Sequence, residues 1–134
     1  MAPQIIIRPI ILTILLCLFH TVASLPNTQI KLTLCNNGVY FNGDPFATSL
    51  AYIISELQSV TPYYQGYDYR NISPYPNAFA YGHASCNHNL TASDCAACLV
   101  AAKSAMLGAC DSRIGADCVL VDCSMRYEQY PFSN

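Results

Sequence analysis

The stretch SCNHNLTASDCAACL spaces Cys86, Cys95 and Cys98 by nine and three residues, and the chemistry of those sulfurs limits what the chain can fold into. Cys95-x2-Cys98 alone fits half a zinc knuckle, a thiol redox pair, or two halves of two different disulfides. The compartment decides among these, and the start of the chain speaks to the compartment. Arg8 precedes an almost unbroken apolar run from Ile10 to Phe19, and Val22-Ala23-Ser24 supplies the small residues a signal peptidase needs. The run is about ten residues long, short of the roughly 20 that a spanning helix requires. Residues 1–24 are therefore read as a cleaved secretory signal and residues 25–134 as a single exported domain. No second stretch of that kind is expected, so the mature chain has no membrane partner.

Outside the cytosol thiols are oxidised, and dense cysteines in a domain of about a hundred residues read first as disulfides. The later cysteines, Cys110, Cys118 and Cys123, are spaced by eight and five, so no second Cys-x2-Cys knuckle completes a zinc site. Nor does a strand-to-helix junction beside a parallel sheet frame Cys95 and Cys98, as thioredoxin-type chemistry requires. Removing Arg8 with the signal leaves five Lys/Arg against eight Asp/Glu. With no basic stripe in this mildly acidic chain, nucleic acid is not an expected partner.

The remaining sequence reads as an α+β domain. Ile30 to Cys35 alternates as a strand, and Asn37-Gly38 marks a turn before a short second strand at Val39 to Phe41. Asp44-Pro45 reads as a helix cap followed by proline at the first helical position. Phe46, Leu50, Ile53, Ile54, Leu57 and Val60 then repeat at helical spacing until Thr61-Pro62. Gly66 to Ser73 reads as an edge strand running into a loop, and Ala78 to Cys86 as another strand. Thr91 caps a second helix, with Asp94 as its capping-box partner and an apolar face of Cys95, Cys98, Leu99, Ala102, Met106 and Ala109. The β-formers from Cys118 to Gln129 supply the last strand or strands, bending near Asp122. Cys95 and Cys98 share the core-facing side of their helix, so each sulfur is expected to reach a different segment: Cys95 back to Cys86, Cys98 to a strand. Spacing alone leaves the full connectivity open.

The run AYGHASCNHNLTASDCAACL, the downstream IGADCVLVDCSMRYEQ and the early Cys35-Asn36 closely resemble the ginkbilobin-type secreted antifungal domain. The same domain occurs in plant secreted cysteine-rich repeat proteins and in the ectodomains of cysteine-rich receptor-like kinases. The resemblance covers nearly all of residues 25–134. It implies two helices on a five-stranded antiparallel sheet and the disulfides Cys35–Cys110, Cys86–Cys95 and Cys98–Cys123. It also implies a secreted, apoplastic plant defence protein that acts on fungi by binding mannose or wall mannan. The alternative is an apoplastic protein-interaction or signalling module that has lost sugar binding. The family's mannose contacts fall on Asn36, Asp117 and Glu128; the first and last match its pattern, whereas Asp117 stands where the family has arginine.

Each candidate also has a plainer reading. Asn36 beside Asn37-Gly38 suits a turn, and Glu128 suits a solvated strand edge. Arg126, two residues before Glu128, shares its strand face; it either stands in for the cation missing at Asp117 or simply neutralises Glu128, and the second is the plainer expectation. His83 and His88 lack carboxylate or hydroxyl partners at a motif spacing and read as surface imidazoles. No catalytic constellation, metal set or cofactor motif emerges, so an enzyme is not expected. NIS at Asn71 and NLT at Asn89 are glycosylation sequons; Asn71 is the more accessible by its loop-like surroundings, while Asn89 sits in the small Cys86–Cys95 loop. Seven mature cysteines leave one over, and the family pattern has none at Cys118. Positions 118 and 123 differ by an odd number, so on one unbroken strand their side chains leave opposite faces. Cys118 is therefore expected to be free, open to alkylation or to a disulfide-linked dimer.

Overall fold

The computed structural model describes residues 25–133; the expected signal segment lies outside them. Five strands form one sheet: β1 (Ile30–Cys35), β2 (Asp68–Ile72), β3 (Tyr81–Cys86), β4 (Gly115–Leu120) and β5 (Cys123–Glu128). Their spatial order is β1-β4-β5-β3-β2, and every neighbouring pair is antiparallel. Two helices, α1 (Pro45–Val60) and α2 (Ala92–Ala109), cover one face. This is the α+β, two-helix, three-disulfide architecture expected from the sequence.

Local signals explain the element boundaries. Asp44 Oδ1 accepts from Phe46 N–H at 2.9 Å and Pro45 follows, giving α1 both features of a strong start. Thr61-Pro62 ends it in a 3₁₀ turn over Thr61–Tyr63. Thr91 Oγ1 accepts from Asp94 N–H at 3.1 Å, the forward half of the expected capping box. Gly82 lets α1 approach β3 closely: a methyl there would lie 2.5 Å from Ile53 Cγ2 and 3.0 Å from Leu57 Cδ1. Phe46, Ile53 and Leu57 from α1 and Leu99 and Met106 from α2 are fully buried against Ala84, Met125 and Tyr127 of the sheet.

The structure corrects several expectations. Val39 to Phe41 is no strand. It makes one isolated bridge, Val39 to Arg113, because Gly38 and Tyr40 bond backbone to Ile114 and Ser112 in the loop after α2. The edge strand is only Asp68–Ile72, since a 3₁₀ turn at Gln65–Tyr67, with Gly66 at φ 70°, precedes it. The last strands form a hairpin turning at Val121-Asp122, so the parity argument for Cys118 and Cys123 fails. They lie on different strands, Cys118 opposite Met125, and both face the helices. Cys118 is free, as expected, but fully buried. Burial raises its thiol pKa, with Thr33 opposing and Asp117 adding to the shift. A dimer through Cys118 therefore requires the domain to open.

The helix α2 is also more apolar than anticipated: 18 residues of mean hydropathy 1.2, long and apolar enough by composition to cross a membrane. Alanine rather than leucine carries that hydropathy, which is why it does not stand out as a signal-like run. Three disulfides tie this segment to the sheet. Cys95 joins Cys86 at the end of β3, Cys98 joins Cys123 at the start of β5, and Cys110, capping α2, joins Cys35 at the end of β1. These are the pairings the family resemblance implied.

Candidate functional site

The helices leave the other face of the sheet uncovered, and strand alternation sends a row of charges onto it. Register places Leu34, Asp117, Arg126, His83 and Arg70 side by side across all five strands. At one end of this row a pocket of about 260 Å³ is lined by Leu34, Asn36, Asp117, Arg126, Glu128 and Tyr130, together with Cys35. Asn36, Asp117 and Glu128, from three separate stretches of sequence, thus meet in one cavity.

Each is held differently. Asn36 continues from β1, and its N–H donates to Gly115 O at 2.9 Å while its Oδ1 accepts from Gly38 N–H at 2.9 Å. Its carbonyl accepts from Arg113 Nη1 at 2.9 Å. The turn role and the pocket position therefore coexist, with Nδ2 as the side chain's remaining donor. Glu128 is only 6% exposed, so it is not the solvated edge charge of the plainer reading. Its Oε1 accepts from Arg126 Nε and Nη2 at 3.4 and 3.3 Å, while buried Oε2 has no partner. Gly115 makes room for it, because a methyl at that position would land on Glu128 Oε2. Asp117 is half-buried opposite Arg126. Desolvation raises its carboxyl above the ordinary 3.8, and the nearby charges of Arg126 and His83 only partly oppose this.

Sequence reasoning paired Arg126 with Glu128, as the structure does, but missed its cover: the Phe132 ring lies 4.1 Å from the guanidinium carbon. It also missed Gly115, although a glycine opening a strand is the kind of signal that marks close approach. His83 is no free surface imidazole, since its Nε2 lies 2.7 Å from Asp68 Oδ1 across the β2–β3 pair. That partner is fifteen residues away, outside any motif spacing. His88 is exposed.

The sequons exchange places. Asn71 lies within β2 opposite Gly82, and the hydroxyl of its Ser73 is buried, accepting from Ala80 N–H at 2.8 Å. Asn89 stands in an exposed turn, and the Thr91 that completes its sequon is exposed as well.

Comparison with known proteins agrees with this architecture. The family model described as salt stress response/antifungal matches residues 34–130. The antifungal ginkbilobin-like protein 1 of Picea glauca is 35% identical over 112 residues, covering 82% of this chain and 79% of its own length. The antifungal protein ginkbilobin-2 of Ginkgo biloba is 34% identical over 108 residues, covering 79% and 80%. Among solved structures, the tandem DUF26 ectodomain of the Arabidopsis thaliana cysteine-rich receptor-like protein PDLP5 superposes with a TM-score of 0.72 at 18% identity, over 78% of this chain and 51% of that one. The corresponding ectodomain of PDLP8 gives 0.64 at 25% identity, over 77% and 46%. The chain thus spans about half the length of each tandem ectodomain. From the family match and the antifungal relatives together, the chain belongs to the salt stress response/antifungal family and is a plant defence protein.

Proposed function

We propose that this protein is secreted, is not an enzyme, and restrains fungi by holding a hexose of the cell-wall glycan in the pocket of Asn36, Asp117 and Glu128. Mannose or mannan is the ligand the family resemblance implies. The observation that supports the reading is the meeting of those three side chains in one cavity. Its volume of about 260 Å³ lies below the roughly 300–1,000 Å³ of drug-sized sites, which suits a single sugar ring. Amide and carboxylate groups match the paired donor and acceptor character of adjacent hydroxyls.

Asp117 weakens the fit to a neutral sugar. A second carboxylate beside Glu128 offers acceptors where hydroxyl oxygens need donors, and losing one charge-assisted bond of roughly 1.5–3 kcal/mol costs about tenfold or more in affinity. Calorimetry with mannan oligosaccharides tests this. Asp117→Arg should bind about tenfold more tightly than the native protein, and Glu128→Gln should bind less tightly. Equal binding by all three forms contradicts the reading.

A second reading, an apoplastic protein-interaction module, draws support from the uncovered sheet face. Leu32 and Leu34 are 44% and 55% exposed there, and the structural neighbours are receptor-like ectodomains. Loss of growth inhibition without loss of folding in a pocket variant would favour the sugar reading over this one.

A further inference from the structure

The formal charge of the groups lining the pocket is one-sided. Both Asp117 oxygens lack a hydrogen-bond partner among the described residues, and buried Glu128 Oε2 lacks one too. Glu128, more than nine-tenths buried, lines the cavity itself. On the donor side, Arg126 gives two of its five N–H groups to Glu128 Oε1, through Nε and Nη2, and lies beneath the Phe132 ring at 4.1 Å. Asn36 contributes one amide group. Two carboxylates against one guanidinium leave these lining groups with a formal charge of about −1. The other charged or titratable groups in the row are His83, bonded to Asp68, and Arg70, which is also within 5.7 Å of Phe132.

The hydroxyls of a neutral hexose can donate to these carboxylates but bring no charge to balance the second one. An ammonium has three donors, no acceptor and a compensating charge. Tyr130, 47% exposed at the pocket rim, and Leu34, 55% exposed, offer apolar surface to a sugar's C–H face, which a bare cation does not use.

We infer that the pocket selects a hexose bearing a protonated amine, such as the glucosamine unit of deacetylated chitin, over a neutral hexose, and that Asp117 sets this preference. The inference rests on the reading that the pocket holds a sugar. An ammonium beside Asp117 meets that residue's open oxygens and balances the second carboxylate's charge, while Glu128 Oε2 stays packed against Gly115 and Arg126 stays paired to Oε1 and shielded by Phe132. Acetylating the amine removes both the charge and two of its three donors.

Calorimetric titration with trisaccharides of glucosamine, N-acetylglucosamine and mannose tests the inference, at a pH between the carboxylate and amine titrations. The glucosamine trimer should bind at least about tenfold more tightly than the other two. Asp117→Asn should abolish the difference, while Asp94→Asn, which removes one charge from the helix layer, should preserve it. Equal affinity for the acetylated trimer overturns the inference, as does an equal loss in Asp94→Asn, which would mark general attraction to an acidic protein. Tightest binding of the mannose trimer overturns the amine preference and leaves the sugar reading standing. Absence of binding by all three overturns both.

Discussion

Two neighbouring positions on β4, Asp117 and Gly115, govern the charge and the space around Glu128. Because burial holds the Asp117 carboxyl above its ordinary 3.8, the folded state binds its proton more tightly than the unfolded chain does. Its contribution to stability is therefore full below the ordinary value and is lost as pH rises through the elevated one. Asp117→Asn should leave the melting temperature unchanged at about pH 3 and raise it slightly near pH 7, for a stability gain of no more than about a few tenths of a kcal/mol given the group's solvent screening. Melting curves of both proteins across that range check this; a lower melting temperature for the variant near neutrality contradicts it. Gly115 is a steric matter. Gly115→Ala must displace the Glu128 carboxylate, because the methyl and Oε2 claim the same space. A loss of about 1–3 kcal/mol in urea unfolding is expected, together with loss of the Arg126–Glu128 pair in a crystal structure of the variant. An unchanged stability and pair would show that the carboxylate can sit elsewhere.

At the scale of elements, the central fact is that α2 is fastened to three strands. In loop-entropy terms the bridges are unequal, because Cys35–Cys110 closes 75 residues and Cys86–Cys95 only nine. Replacing the first pair by alanine should cost about 4 kcal/mol and the second about 2.5 kcal/mol, as read from denaturant unfolding; the reverse order would show that native-state strain dominates. Cys118, sealed under the helices, should resist alkylation in the native protein and react once the chain is unfolded. Much of this layer was legible in the sequence, because caps at Asp44 and Thr91 and the apolar spacing of α1 are local signals. The short strand at Val39 to Phe41 was misread because its backbone partners, Ser112 and Ile114, lie over 70 residues away. The burial of Cys118 was missed because parity was counted along one unbroken strand, although a bend near Asp122 was expected; the bend is a full hairpin turn. Pocket membership was legible for Asn36, Asp117 and Glu128 only through the family resemblance. The enclosure of Glu128 and the Phe132 cover on Arg126 depend on tertiary placement. The same limit applies to the sequons: mass spectrometry of the secreted protein should find glycan at Asn89 and little at Asn71, whose hydroxyl partner Ser73 is buried; the opposite occupancy would mean glycosylation precedes pairing of β2.

For the molecule as a whole, the arrangement divides labour between two faces. Disulfides and core hold the helices on one side of the sheet, and the other side is free to present a polar pocket. A frame cross-linked in this way tolerates the buried, incompletely satisfied Glu128 that the pocket requires. The account therefore ties antifungal action to the pocket rather than to the surface at large. The most direct test is inhibition of fungal growth by the native protein and by the Asn36→Ala, Glu128→Gln double variant, with thermal melting used to confirm that both are folded. The account predicts that the folded variant loses most of its inhibition; a folded variant that inhibits growth as strongly as the native protein would contradict it.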